Sequence, residues 1–213
     1  MRDFPVFTTQ NGVASIVLRE IPYRGEAYIT LRDSLQPDAL LAECVEFCKI
    51  AGAAKIYATG HNTLEKYPLY TSVMKMQQLR NNLPEGDGCL FPATEETAER
   101  WRSIYNEKMK SVPNASVMTR EDMKKYISRG GCYFVHKGDR LLGIGLVWED
   151  KIEAIASCVE RAGETVLRTL CNAIFTELVT VEVASTNLPA IRLYERLGFQ
   201  KVAEISCWYT VNK

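Results

Sequence analysis

The segment Val181-Glu182-Val183-Ala184-Ser185-Thr186-Asn187-Leu188-Pro189-Ala190-Ile191-Arg192-Leu193-Tyr194-Glu195-Arg196-Leu197-Gly198-Phe199 decides how the fold is read. It opens as a strand, passes through a small polar loop and enters a short run with helical spacing that Gly198 stops. Asn187 suits the N-cap, because its side-chain oxygen can accept from the unpaired amides of a first turn, and Pro189 loses no helical donor so early. Leu188, Ile191, Tyr194 and Leu197 recur every third residue, so they line the side expected to face the protein; Arg192, Glu195 and Arg196 fall elsewhere.

Upstream of this segment, Glu164 to Leu178 carries Leu167, Leu170, Cys171, Ile174 and Leu178 at helical intervals, which predicts a helix packed by one face. Three strand runs precede it, Cys132 to His136, Arg140 to Trp148 and Ile152 to Val159, joined by turns at Lys137-Gly138-Asp139 and Glu149-Asp150-Lys151 into an antiparallel meander. Before them come two helices. Thr94 is expected to cap the first, with Glu95 and Glu96 in its opening turn and Ala98, Trp101, Ile104 and Tyr105 facing inward. The second starts at Thr119, with Asp122 completing a capping box, and stops at Gly130-Gly131. Downstream, Phe199 to Val211 is long enough for one or two strands.

The N-terminal part reads as a hairpin of Ala14 to Leu18 and Ala27 to Leu31 around Pro22-Tyr23-Arg24-Gly25. A helix opened by Pro37 follows, with Leu40, Leu41, Cys44, Val45 and Cys48 on one face and Gly52 at its end, then a strand from Lys55 to Thr59. Ile56 to Asn62 parallels Val181 to Asn187, since each follows an amphipathic helix and ends in a polar loop closed by Asn, which suggests a repeated helix-strand unit. Tyr67-Pro68 disfavours a helix after the first copy, so that copy is incomplete. Asn81 to Gly88 is dense in turn residues and places the expected boundary between a β-β-α-β half-domain, residues 1–87, and a second domain, residues 88–213.

The whole chain has 213 residues, 46% hydrophobic and 24% charged, an ordinary globular composition. Lys plus Arg equals Asp plus Glu at 26 each, so no global field draws the chain to nucleic acid or an anionic membrane. The N-terminus, Met1-Arg2-Asp3-Phe4-Pro5, has no apolar core behind its charges and no run has the length a bilayer needs; a cytoplasmic protein is expected. Seven cysteines without a Cys-x-x-Cys pair argue for reduced thiols over a disulfide framework or a metal site.

The spacing Asn-x-x-Ala-x-x-x-Tyr-x-x-x-Gly-Phe from Asn187 to Phe199, set in the order strand, two helices, three strands, helix, strand, helix, strand, resembles the GNAT superfamily of acyl-CoA-dependent N-acetyltransferases over about residues 88–213. The resemblance implies an α/β (α+β) fold with a mixed, largely antiparallel twisted sheet flanked by helices. In such a fold the strand ending Ile155-Ala156-Ser157-Cys158-Val159 splays from Val181-Glu182-Val183, and the pantetheine arm of acetyl-CoA supplies the missing main-chain partners. Its pyrophosphate would meet the loop and helix start at Arg161, Ala162, Gly163, Glu164 and Thr165, and Asn187 would contact the arm as well as cap its helix. The loop departs from the family pattern: only Gly163 lines up, Thr165 and Leu167 stand where small residues are expected and should hinder phosphate approach, and Glu160 and Glu164 add negative charge that Arg161 and Arg168 partly balance.

Tyr194 matches the family tyrosine proposed to protonate the departing thiolate; on periodicity alone it reads as core. Glu153 is the carboxylate best placed as general base, sharing a strand face with Ile155, Ser157 and Val159, with Glu149 and Asp150 in the preceding turn as weaker candidates; all three also read as solvated turn or edge carboxylates. The expected activity is direct transfer of an acetyl group to a small-molecule or protein amine, without a metal, and self-association as a homodimer is compatible with it. The alternative is a GNAT-like binding or dimerisation module that has lost its cofactor loop. A third reading, a cysteine hydrolase using Cys158 with His61 or His136, has only residue types in its favour.

Overall fold

In the computed structural model, which describes residues 5–212, the chain runs β1 (Val6–Thr9), β2 (Gly12–Val17), α1 (Ile21–Arg24), β3 (Glu26–Ser34), α2 (Pro37–Ile50), β4 (Lys55–Thr59), β5 (Leu69–Leu79), β6 (Cys89–Pro92), α3 (Ala98–Met109), α4 (Arg120–Arg129), β7 (Cys132–Lys137), β8 (Arg140–Trp148), β9 (Lys151–Ser157), α5 (Gly163–Cys171), β10 (Leu178–Ala184), α6 (Leu188–Arg196) and β11 (Gln200–Thr210). Met1–Phe4, which entered the reading of the N-terminus, lies outside the described residues. The chain forms two compact units: one takes residues up to Val73 together with Ile205 onward, the other Met74–Glu204. It therefore passes between units inside β5 and again inside β11.

In the first unit the strand order is β1-β2-β3-β4, and the end of β11 lies beside β4. β2 and β3 are antiparallel, with Ala14 opposite Leu31 and Ile16 opposite Ile29; β3 and β4 are parallel over five pairs, from Glu26 and Lys55 to Thr30 and Thr59. The apolar face of α2, Leu40, Leu41, Cys44 and Cys48, is buried against Ala14, Ile16, Ile29, Leu31, Ile56 and Ala58. Residues that alternate with these point to the opposite face. There Tyr57 stacks on Tyr70 with ring centres 4.0 Å apart, and Trp208 meets Tyr28 edge-on at 5.5 Å. α1 fills the hairpin connection that the sequence marked only as a turn, and the incomplete first copy has a short 3₁₀ turn, Asn62–Lys66, where the second has a helix.

The C-terminal residues close this unit. Tyr209 pairs with Ala58 and Thr210 with Tyr57, and the Val211 amide donates to the Ile56 carbonyl at 3.0 Å. The Asn212 side chain then continues the ladder: its Oδ1 accepts from the Ile56 amide at 2.7 Å and its Nδ2 donates to the Ala54 carbonyl at 2.9 Å. Asn212→Ala removes both bonds and leaves the Ile56 amide without its acceptor, so stability should fall by about 1–2 kcal/mol. Denaturant unfolding followed by tryptophan fluorescence measures it.

The second unit has the strand order β6-β7-β8-β9-β10, followed by the end of β5. Its sheet is mixed and largely antiparallel, with helices on both faces. Alternation divides β8 and β9 between two cores. Leu142, Val147, Ile152 and Ile155 pack with Val166, Leu167 and Leu170 of α5, whereas Ile144, Leu146, Ala154 and Ala156 pack with Trp101, Tyr105 and Met123 of α3 and α4. A Cβ at Gly143 would clash with Val166 and the Ala156 carbonyl, and one at Gly145 with Leu170; bare backbone at these two positions lets α5 lie close on β8.

Three expectations need correction. The turn-rich segment 81–88 does not separate the units: Gly86 and Gly88 lie inside the second, where their amides donate to Asn172 Oδ1 and Thr169 Oγ1 at 3.4 and 3.2 Å, and a Cβ at Gly86 would overlap the Thr169 backbone. Its glycines serve close approach rather than a linker. The helix expected to reach Leu178 stops at Cys171, because Arg80 Nε takes the Cys171 carbonyl at 2.8 Å and the Arg80 amide takes that of Glu177; Ile174 is still buried, and Leu178 opens β10. The N-cap of α3 is Thr97, with Thr94 held in the preceding turn by the Thr97 hydroxyl. The capping box at Thr119 forms as expected, with Asp122 donating its amide to Thr119 Oγ1 at 3.0 Å.

Candidate active site

β9 and β10 start as parallel neighbours and then part. Only Lys151 and Ile152 of β9 pair with Thr180 and Val181 of β10. At the next residue β9 bulges: Ile152 lies opposite Val147 and Ala154 opposite Leu146, so Glu153 is the extra residue. A bulge bends its strand. Beyond it β9 stays on β8, with Ser157 opposite Gly143 and the Cys158 amide donating to the Leu142 carbonyl at 2.7 Å, and it leaves β10 behind. Main-chain groups of Ala154–Ser157 and Glu182–Ala184 border the resulting gap. The corresponding pair in the first unit, β3 and β4, keeps five pairs and opens no gap.

The loop after β9 leads to α5. The Ala162 amide donates to the Val159 carbonyl at 3.2 Å, closing a four-residue turn in which Arg161 takes φ of 63°, at the third position, where a turn with positive φ favours glycine. The Arg161 side chain points into solvent beside Glu160 at 3.8 Å. Ala162 is the N-cap of α5 and gives no side-chain acceptor, so the amides of Gly163, Glu164 and Thr165 open the helix uncapped. Leu167 is wholly buried in the α5 core and stands away from this opening, which corrects the expectation that its bulk obstructs it; a helix residue four places in faces where its own periodicity sends it. Arg168, expected to balance the local acids, donates Nη2 to the Glu85 carbonyl at 2.6 Å and lies 3.7 Å from Glu164.

The opening of α5 therefore fits an anion through its amides and Arg161 and opposes it through Glu160 and Glu164, while the gap between β9 and β10 fits an extended amide-bearing arm.

Across the gap, Asn187 caps α6 by accepting from the Ala190 amide at 3.4 Å, as its position predicted. Tyr194 is 4% exposed, tilted against Phe199 at 5.7 Å among Val181, Val183 and Ala162, and burial pushes its phenol up to about 12. Leu188, placed on the inward stripe by spacing, is exposed, since the stripe turns inward only from Ile191.

Glu153 does not share a face with Ile155 and Ser157. The bulge resets the alternation and brings its charge to Cys132 in the α3/α4 core; burial, with that charge second, pushes the Cys132 thiol up to about 12. Glu153 itself is exposed on that side. Asp150 has a structural task, because its carboxylate accepts from the buried Thr180 hydroxyl at 2.7 Å and its carbonyl takes the Thr180 amide at 2.7 Å. Burial, with the Glu107 charge adding to it and Lys108 and Arg100 partly offsetting it, raises the Cys158 thiol above its ordinary range, so it is held protonated and is a poor nucleophile. His61 caps the 3₁₀ turn of the first unit by accepting from the Thr63 amide, and His136 lies edge-on to Phe91. Among the described residues no group of three or more His, Cys, Asp or Glu is placed to hold a metal ion, and no helix is long and apolar enough to cross a membrane.

On the α3 side of β9 an open groove of about 620 Å³ runs along the helix face formed by Arg100, Ser103, Ile104, Glu107 and Lys108, with Leu141 and Cys158 opposite. Only the topology brings this polar stripe to the end of β9.

No protein-family model matches the sequence, and no curated protein matches it. Solved structures do. A putative acetyltransferase from Pyrococcus horikoshii superposes with a TM-score of 0.60 at 13% identity, over 95% of this chain and 70% of that one. A GCN5-related N-acetyltransferase from Anabaena variabilis gives 0.62 at 10% identity, over 93% and 59% of the two chains. A tandem GNAT protein from the clavulanic acid biosynthesis pathway gives 0.55 at 12% identity, over 94% and 78%.

Proposed function

We propose, from the GCN5-related N-acetyltransferase fold that this chain has, that it transfers an acetyl group from acetyl-CoA to an amine. The observation that carries this reading is the parting of β9 from β10 after two pairs, beside the uncapped start of α5. Acetyl-CoA supplies the acyl thioester. Main-chain groups of Ala154–Ser157 hold its extended arm as an added strand would, the first-turn amides of α5 with Arg161 meet its phosphates, and a main-chain amide at the β9 bulge, at the end of the arm away from α5, polarises the acyl oxygen. The amine loses a proton before or during attack; Glu153, on the α3 side of the sheet, serves as base directly or through water. Tyr194 returns a proton to the sulfur. Calorimetric titration with acetyl-CoA is expected to give saturable binding of one equivalent, and no heat of binding at about 1 mM, a limit near −4 kcal/mol, would overturn the reading.

Glu160 and Glu164, which oppose an anion at α5, favour a second reading, a GNAT-fold module that binds a partner without turnover. That module would bind no acetyl-CoA in the same titration.

A further inference from the structure

We propose that Lys151, at the closed end of the gap between β9 and β10, is acetylated by the acetyl-CoA that the same chain binds, with Glu182 as the base. This deepens the acetyltransfer reading and rests on it for the acyl donor.

The position of the Lys151 amine carries the proposal. The two strands pair only through Lys151 with Thr180 and Ile152 with Val181, and Glu182 is the first residue of β10 past the last pair. Ile152, Val181 and Val183 are buried in the α5 core, so Lys151, Thr180 and Glu182 alternate onto the opposite face, the one on which Glu153 also lies. Lys151 stands opposite Thr180, yet its Nζ is 2.6 Å from Glu182 Oε1, so the side chain leans along the sheet over the point where the strands part. Thr180 beneath it is already engaged, accepting from Gln77 Nε2 at 2.9 Å and donating to Asp150 at 2.7 Å. The Lys151 and Glu182 side chains are 29% and 38% exposed, so a reagent can reach both; an ion pair so open adds about 1 kcal/mol or less, a weak reason for its presence. An arm laid along Ala154–Ser157 with its phosphates at α5 brings its thioester to this end, beside the β9 bulge, where the amine waits. Glu182 takes one proton from the ammonium, and the neutral amine attacks the thioester carbon. The N–C bond forms, the C–S bond breaks, and the sulfur leaves as the thiol with a proton from Tyr194, which the second proton of the nitrogen restores. Lysine ammonium and acetyl-CoA thus give acetyl-lysine, CoA and one proton, with no other reactant.

The test needs no knowledge of the acceptor. The full chain is incubated with acetyl-CoA alone, and acetylation is followed by intact mass and peptide mapping. Lys151 is expected to gain one acetyl group at least about 100-fold faster than any exposed lysine, because its amine and the thioester are held together. The rate should saturate with acetyl-CoA and be independent of protein concentration. Lys151→Arg, which keeps the ion pair, should abolish the fast product, and Glu182→Gln should slow it by about 100-fold or more. Both side chains are partly exposed, so circular dichroism and melting point should be unchanged in the two variants. Acetylation of Lys151 no faster than of exposed lysines, or at a rate that rises with protein concentration, overturns the assignment, and so does a fast product that survives Glu182→Gln. If calorimetry meanwhile shows acetyl-CoA bound, the acetyltransfer reading stands without the modification; if it shows no binding, both fall.

Discussion

With Tyr194 replaced by phenylalanine, kcat for acetyl transfer should fall by about 100-fold or more while acetyl-CoA binding and the melting point stay close to those of the parent. The hydroxyl sits at the end of a side chain that is otherwise core, packed on Phe199 and among Val181 and Val183, so its removal leaves the packing in place and costs about 1 kcal/mol or less. Burial pushes the phenol up to about 12, so it keeps its proton at any pH an assay uses, and the wild-type rate should show no alkaline fall from its ionisation. Unchanged turnover in steady-state assays of the variant would make Tyr194 a core residue only. A parent protein without turnover, and a variant of equal stability, would favour the binding module.

A chain ending at Glu204 should lose the cooperative structure of the first unit. The removed residues supply the ladder from Tyr209 to Asn212 along β4, the Thr210 amide bonded to the Pro68 carbonyl, Tyr209 and Val211 against the α2 core, and Trp208 against Tyr28. Three large side chains at about 1.5–3 kcal/mol each when fully buried, halved for partial burial, come to about 2–4.5 kcal/mol, and the lost ladder bonds bring the loss near the lower end of a domain's stability. Hydrogen exchange should show β3 and β4 amides losing protection, and a peptide of residues 200–212 added in trans should restore it. Full protection of Ile56 in the truncated chain would refute this.

Most of the second unit could be read from its sequence because its signals are local. The capping box at Thr119, the Asn187 cap and the meander of β7, β8 and β9 each follow from residues a few places apart. Long-range geometry was not legible. The bulge at Glu153 has no signature of its own, yet it moves that carboxylate to the other face and opens the gap beside β10. The groove was equally hidden, since Arg100, Ser103 and Glu107 make an ordinary polar stripe until β9 ends beside them. The glycines of 81–88 misled for a related reason: the same residue serves a flexible turn or a close backbone approach, and only the partner, here Thr169, tells them apart.

The placement of Ile205 onward in the first unit bears on how the chain is made. Synthesis proceeds from the N-terminus, so β1 to β4 and α2 emerge early, but the strand that completes β4 arrives only after all of Met74–Glu204 has been translated. Throughout that interval β4 presents an open edge, the kind of surface that pairs with other chains. The first unit to emerge is thus the last to be completed, and its yield should depend on how quickly the second unit folds.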